Sequence, residues 1–265
     1  MFPLELVVHD ATDGLAVVAH AKGTSTLELG ICLKSIEKLK SPAVSYTIFE
    51  SCEDKILNGL IWLFLHEFSH FSLNHFELLD RGQICEGSYP SEFGLVSLRP
   101  ARRDILDGID PADWYKIEPC LEMQADHDAI ELMLDAYGPD GWDILRERAA
   151  AISAMMMLIE RADAERDYEH STHPRAATRI FQLLGHIVEM PTLPARFKAE
   201  ARGAEVIDPT DLPSQEEEDA FRREVVMPCF EDAVALAKAA GATTIIQVNR
   251  PGFTGDCLVL LKRLY

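Results

Sequence analysis

The chain has 265 residues, 48% hydrophobic and 26% charged, which is ordinary globular usage and excludes disorder throughout, a collagen-like repeat and a disulfide scaffold. Its 25 basic and 44 acidic residues leave a formal charge of −19, which repels phosphate backbones and disfavours nucleic acid or an anionic membrane as a general partner.

Six cysteines, none in a CxxC pair, are too sparse for a disulfide framework and read as reduced thiols. Met1 to Asp10 has no basic segment of the secretory kind. The longest apolar run, Ile56 to Leu65, is broken by Asn58 and Gly59 and falls short of the roughly 20 residues that span a bilayer. The expectation is a cytoplasmic protein without a membrane span.

Residues 1–50 read as a β-rich part: Leu4–Val8, Leu15–Val18 and Ser45–Phe49 are short apolar or β-branched runs, with Asp13-Gly14 as a turn signal. Ile31 to Lys40 reads as a short helix. Ser51 to about Leu79 reads as a long helix, apolar nearly all round and therefore buried. Residues 81–114 read as mostly loop, with a short helix near Arg102–Leu106. Helices follow over Ile117–Tyr137, Gly141–Glu165 and Pro174–Val188, the last with Pro174 in its first turn. Residues 189–213 lack a clear pattern. Ser214–Ala240 reads as a helix opened by the carboxylates of Glu216–Asp219, a solvated face that suits a helix N-terminus. Thr243–Val248 and Cys257–Leu261 read as closing strands. The fold class expected is α+β, predominantly helical, with the division 1–50, 51–190 and 191–265 in one compact unit.

The chemistry concentrates in His66-Glu67-Phe68-Ser69-His70, an HExxH sequence inside the buried helix. Four residues make about one helical turn, so both imidazoles leave the same face and can share one Zn²⁺. Glu67, about 100° round the helix from His66, reaches a water beside that pair and suits a general base. Burying two imidazoles and a carboxylate among apolar residues costs several kcal/mol unless they are satisfied, and a metal satisfies them. A third ligand is expected from Glu122-Met123-Gln124-Ala125-Asp126, where Glu122 and Asp126 share a helix face. One carboxylate can ligate the metal, and the other can accept the free N–H of a ligand histidine. Small Ala125 lets the two helices approach. His173, before Pro174, sits where it can face a site. His75 lies about 140° off the His70 face and reads as a surface or core residue. His127 reads as a non-ligand, Trp62 as core or pocket wall, and Met155 to Met157 as adaptable packing.

These three segments, with Ser171-Thr172-His173-Pro174 and Arg179-Ile180 as the third, resemble the gluzincin-type zinc metallopeptidases. The pattern is similar to that of the HtpX and CAAX prenyl protease family: HExxH, then ExxAD, then Ser-x-His-Pro with an arginine five residues on. The resemblance spans about residues 51–185. It implies a zincin-like core, one zinc ion held by His66, His70 and Glu122, and Glu67 as general base. It further implies that Asp126 is the partner of a ligand histidine, that His173 stabilises the tetrahedral intermediate and that Arg179 braces the site. That family is usually membrane-embedded or periplasmic. A chain with no span or signal fits the soluble Lit-type peptidases that share the motif set, so the membrane family's substrate preferences do not transfer. The implied partner is a peptide or protein substrate; separately, Tyr46–Phe49 reads as an edge strand on which an extended substrate can add in β-fashion. Two other readings stay open: a metal-binding regulatory or partner-binding protein with a latent or lost peptidase site, and a hydrolase of non-peptide amides.

Overall fold

A computed structural model describes residues 4–9, 16–20, 27–32, 52–73, 75, 117–134, 141–165 and 174–240. Strands β1 (Leu4–His9), β2 (Ala16–His20) and β3 (Leu27–Cys32) form a sheet in the order β1-β3-β2. β3 runs parallel to β1, with Leu4 opposite Leu27, and antiparallel to β2, with Ala16 opposite Ile31. Ile31 and Cys32 thus close a strand, where a helix from Ile31 was expected. The rest of that expected helix, the strand at Ser45–Phe49, the helix near Arg102–Leu106 and both closing strands lie outside the described residues.

The rest of the described chain is helical, the predominant character expected from the sequence. It comprises α1 (Cys52–Ser72), α2 (Ile117–Met133), α3 (Trp142–Glu165), α4 (Ala176–Glu189), α5 (Leu193–Ala201), α6 (Gln215–Phe221) and α7 (Met227–Ala240). No helix among the described residues is long and apolar enough to cross a membrane.

α1 buries Gly59, Trp62, Leu63, His66, Ser69 and His70, a stripe at the three- and four-residue spacing of one helix face. It packs that stripe on α2 and α3. Its opposite side is not covered as the all-round apolar pattern suggested: Leu57, Ile61 and Phe68 are exposed. α1 also ends at Ser72, short of the expected Leu79. Ser69 Oγ donates to the Leu65 carbonyl at 2.8 Å and Ser72 Oγ to the Ser69 carbonyl at 3.2 Å. Such side-chain bonds compete with the helical ladder.

α3 lies at the centre, with Ile152, Met155 and Met156 fully buried, and packs on α1, α4 and α7. Arg146 on α3 donates from Nε and Nη2 to both carboxylate oxygens of the buried Asp232 on α7, at 2.7 and 2.9 Å. Beside it, burial pushes the Cys229 thiol up to about 12, so it packs as a small apolar group.

Prolines explain the remaining differences. Pro174 stands just outside α4, whose N-cap is Arg175. The unpatterned stretch after α4 is ordered into a 3-10 turn at Met190–Thr192 and then α5, with Pro191 and Pro194 in their opening positions, where the missing N–H costs nothing. α5 closes on Gly203 at φ 65°, with Gly203 N–H bonded to the Glu200 carbonyl and Ala204 N–H to that of Ala199, both at 2.9 Å. Ser214 caps α6 by accepting from the Glu217 N–H at 3.2 Å. The single helix expected to Ala240 is interrupted by a wide π-type turn at Arg222–Val226. Pro228 supplies the reason: it has no N–H to donate, and in a regular α-helix its ring would crowd the Glu224 carbonyl.

Candidate metal centre

The α1 stripe and one face of α2 meet at His66, His70 and Glu122, all buried. On the same face of α2 the small residues Ala125 and Ala129 are fully buried. The Nε2 atoms of His66 and His70 stand 3.2 Å apart. Glu122 Oε2 lies 3.3 Å from His66 Nε2, and Glu122 Oε1 lies 3.4 Å from His70 Nε2. Two imidazole nitrogens and a carboxylate thus converge, each residue offering an atom within 4.8 Å of the others, in an arrangement that could hold a metal ion. Trp62, one turn before His66, walls the cluster with its ring centroid 5.4 Å from that of His66.

Behind His66 stands a charged arm. Asp126, one turn after Glu122 and fully buried, puts Oδ1 3.0 Å from His66 Nδ1. Arg179, in the first turns of α4 and also fully buried, donates from Nε and Nη2 to the two Asp126 oxygens at 2.6 and 2.7 Å. Its guanidinium carbon lies 5.6 Å from the centroid of the Trp62 ring. Burial by itself would raise the Asp126 carboxyl, but the Arg179 charge and hydrogen bonds hold it below the ordinary carboxylate range. Burial would likewise lower His66. In the ion-free chain the hydrogen bonds and charges of Asp126 and Glu122 outweigh it and carry the imidazole up to about 10. The cluster therefore favours a positive charge between Glu122 and Asp126 strongly enough to draw a proton.

Behind His70 stands a neutral arm that helical arithmetic missed. His75 is buried, with Nδ1 3.0 Å from His70 Nδ1 and Nε2 3.3 Å from Gln124 Oε1 on α2. Its placement at 140° from His70 assumed a continuing helix, whereas α1 stops at Ser72 and Leu73 turns. The available signals were the serines at 69 and 72 and a glutamine in the Glu122–Asp126 segment. Burial, then the nearby His70, lower the His75 pKa below the ordinary histidine value, favouring its neutral form.

Glu67 is half-buried at the edge of the stripe. His173 lies outside the described residues. His127 stands away from the cluster, its Nε2 3.6 Å from Glu131 Oε1 and its ring centroid 6.0 Å from that of His186.

A family model described as Peptidase U49 matches residues 115–191, well under half of the chain. No curated protein and no solved structure matches the chain. The matched stretch carries Glu122, Asp126 and Arg179, and its likeness to a peptidase family supports a peptidase function.

Proposed function

We propose that the chain is a zinc-dependent metallopeptidase that hydrolyses peptide bonds of a peptide or protein substrate, with His66, His70 and Glu122 as metal ligands and Glu67 as general base. The reading rests on the three separations within the donor set, 3.2, 3.3 and 3.4 Å. The two longer distances run to different oxygens of the Glu122 carboxylate, one facing each imidazole, and with one atom taken per residue the donors lie within 4.8 Å of one another, close enough to converge on one ion. Two imidazoles and one carboxylate are a zinc donor set that leaves a fourth position open, as hydrolysis requires. Glu122 brings a buried negative charge, while Arg179 offsets that of Asp126.

A divalent ion held there would supply Lewis acidity, lowering the pKa of a water toward about 7 and polarising a carbonyl. The chain does the rest. Asp126 accepts the Nδ1 proton of His66, which turns the Nε2 lone pair toward the cluster. Arg179 fixes Asp126 by a two-pronged contact. Glu67 takes a proton from the attacking water on its carboxylate and returns it to the departing amine. We assign His173 as a donor to the oxyanion on the strength of the Ser-Thr-His-Pro segment alone. In this reading residues 51–190 are the catalytic core.

Two measurements test the proposal together. Metal analysis of wild type should find one zinc per chain, lost in His70→Ala and Glu122→Ala. Glu67→Gln should keep the zinc and lose peptide hydrolysis, general-base removal costing about 10²–10⁴-fold or more. A Glu67→Gln protein that cleaves at the wild-type rate refutes the base assignment. A metal-free wild type that cleaves peptides refutes the metal mechanism.

A further inference from the structure

We infer that His75 is a positioning residue for the metal site, forming with Gln124 a neutral relay that fixes the His70 ring from behind as Asp126 and Arg179 fix His66. This rests on the metal reading above.

The geometry is a chain of two contacts. His70 directs Nε2 at His66 and Glu122, so its remaining ring nitrogen, Nδ1, faces His75 Nδ1 at 3.0 Å. A ligand nitrogen must present its lone pair to the ion, which leaves the His70 proton on Nδ1. His70 therefore donates and His75 Nδ1 accepts, which in neutral imidazole puts the His75 proton on Nε2. That nitrogen stands 3.3 Å from Gln124 Oε1, a group that accepts. With the Gln124 amide oxygen toward His75 and the His70 Nε2 lone pair toward an ion, each donor meets an acceptor in one tautomer only, which is the proton placement a ligand histidine needs. The ring edges also constrain orientation: His70 and His75 are nearly perpendicular, at 80°, with centroids 5.0 Å apart. His75 is 3% exposed, so water does not readily replace it as the acceptor. Gln124 joins the arm to the same helix that carries Glu122 and Asp126, so α2 braces both histidines.

The test reads metal affinity, not turnover. The full chain is stripped of metal, and Zn²⁺ binding is measured by competition with a chromophoric chelator; Co²⁺ substitution gives the visible spectrum of the ligand set. His75→Leu is expected to weaken Zn²⁺ binding by about 10–100-fold and alter the Co²⁺ bands, the usual cost of losing a group that orients a ligand. His75→Gln carries one acceptor and one donor and should recover most of that loss. Gln124→Ala, at an exposed position, should weaken binding by about 2–10-fold through one neutral hydrogen bond. If His75→Leu does not fold, Gln124→Ala decides: weaker binding supports the relay and unchanged binding overturns it. A folded His75→Leu protein with wild-type affinity overturns it, as does a folded His75→Gln protein no better than the leucine variant. A wild type that takes up neither ion, or a His66→Ala variant that binds as wild type does, overturns the metal reading itself and the relay with it.

Discussion

Replacing Arg179 with methionine tests whether the charged arm behind His66 is buried and complete. Arg179 and Asp126 are both fully buried, and two charge-assisted hydrogen bonds of 2.6 and 2.7 Å join them. Hydrogen bonds to charged groups contribute about 1.5–3 kcal/mol each, so losing both costs about 3–6 kcal/mol. Asp126 retains His66 at 3.0 Å, which softens the loss toward the lower end. About 3 kcal/mol is expected, at the low end of the range for breaking a buried pair. The sharper test is the double variant Arg179→Met with Asp126→Asn. The asparagine still accepts from His66 Nδ1–H, and no unpaired charge is left in the core. It should cost less than Arg179→Met alone, although one more native group has gone. The assay is urea unfolding followed by tryptophan fluorescence, with chelator present so that metal binding does not add to the stability of the folded state. Arg179→Met costing under about 1 kcal/mol, or a double variant whose cost is the sum of the singles, refutes the argument, because a solvent-screened pair behaves that way.

Two further outcomes follow from groups away from the cluster. Burial, with a smaller contribution from His127, lowers His186 from 6.5 to about 4, so the folded chain keeps it neutral. Its contribution is fully present above pH 6.5 and is lost as pH falls toward 4, where unfolding lets the ring protonate. Its partial exposure reduces the effect to about 1–2 kcal/mol. His186→Gln should flatten that part of the stability profile measured in urea between pH 7 and 4; an unchanged slope refutes the assignment. At Gly59, an added Cβ meets Met155 Cγ and Sδ at 3.2 Å, the far part of a flexible side chain. Gly59→Ala should change stability by less than about 1 kcal/mol, the gain in helix propensity offsetting a small shift of Met155. Gly59→Leu should cost about 1–3 kcal/mol by overpacking, and equal unfolding midpoints for the two variants refute the close approach of α1 and α3.

What the sequence revealed followed the range of its physics. Helical period placed His66 beside His70 and Glu122 beside Asp126, because spacing within a regular helix is fixed by backbone geometry. It also found α2, α3 and α4 to within a few residues at most ends. It failed where a helix stops being regular. α1 stops at Ser72, and the turn at Leu73 brings His75 back to His70. Pro228 widens a turn that the apolar pattern carried straight through, and Pro191 with Pro194 begin helices in a stretch read as unpatterned. Burial around α1 was also misjudged, because hydrophobicity alone does not distinguish a covered face from an accessible one. Leu57 is 55% exposed and Trp62 wholly buried on the same helix.

The difference between the two arms has an electrostatic logic. A carboxylate behind each of His66 and His70 would place three buried negative charges around one pair of imidazoles, with Arg179 to offset one of them. Each uncompensated charge in such a place costs several kcal/mol. Gln124 and His75 orient His70 without adding charge, because an amide oxygen and a neutral imidazole nitrogen accept protons' hydrogen bonds as dipoles. Arg179 is then needed on one side only, where Asp126 faces His66. Glu122 is left as the buried carboxylate shared by both histidines, its two oxygens 3.3 and 3.4 Å from their Nε2 atoms. The carboxylate that faces both imidazoles therefore stands on the side where the proposed cation would bind, and not behind them.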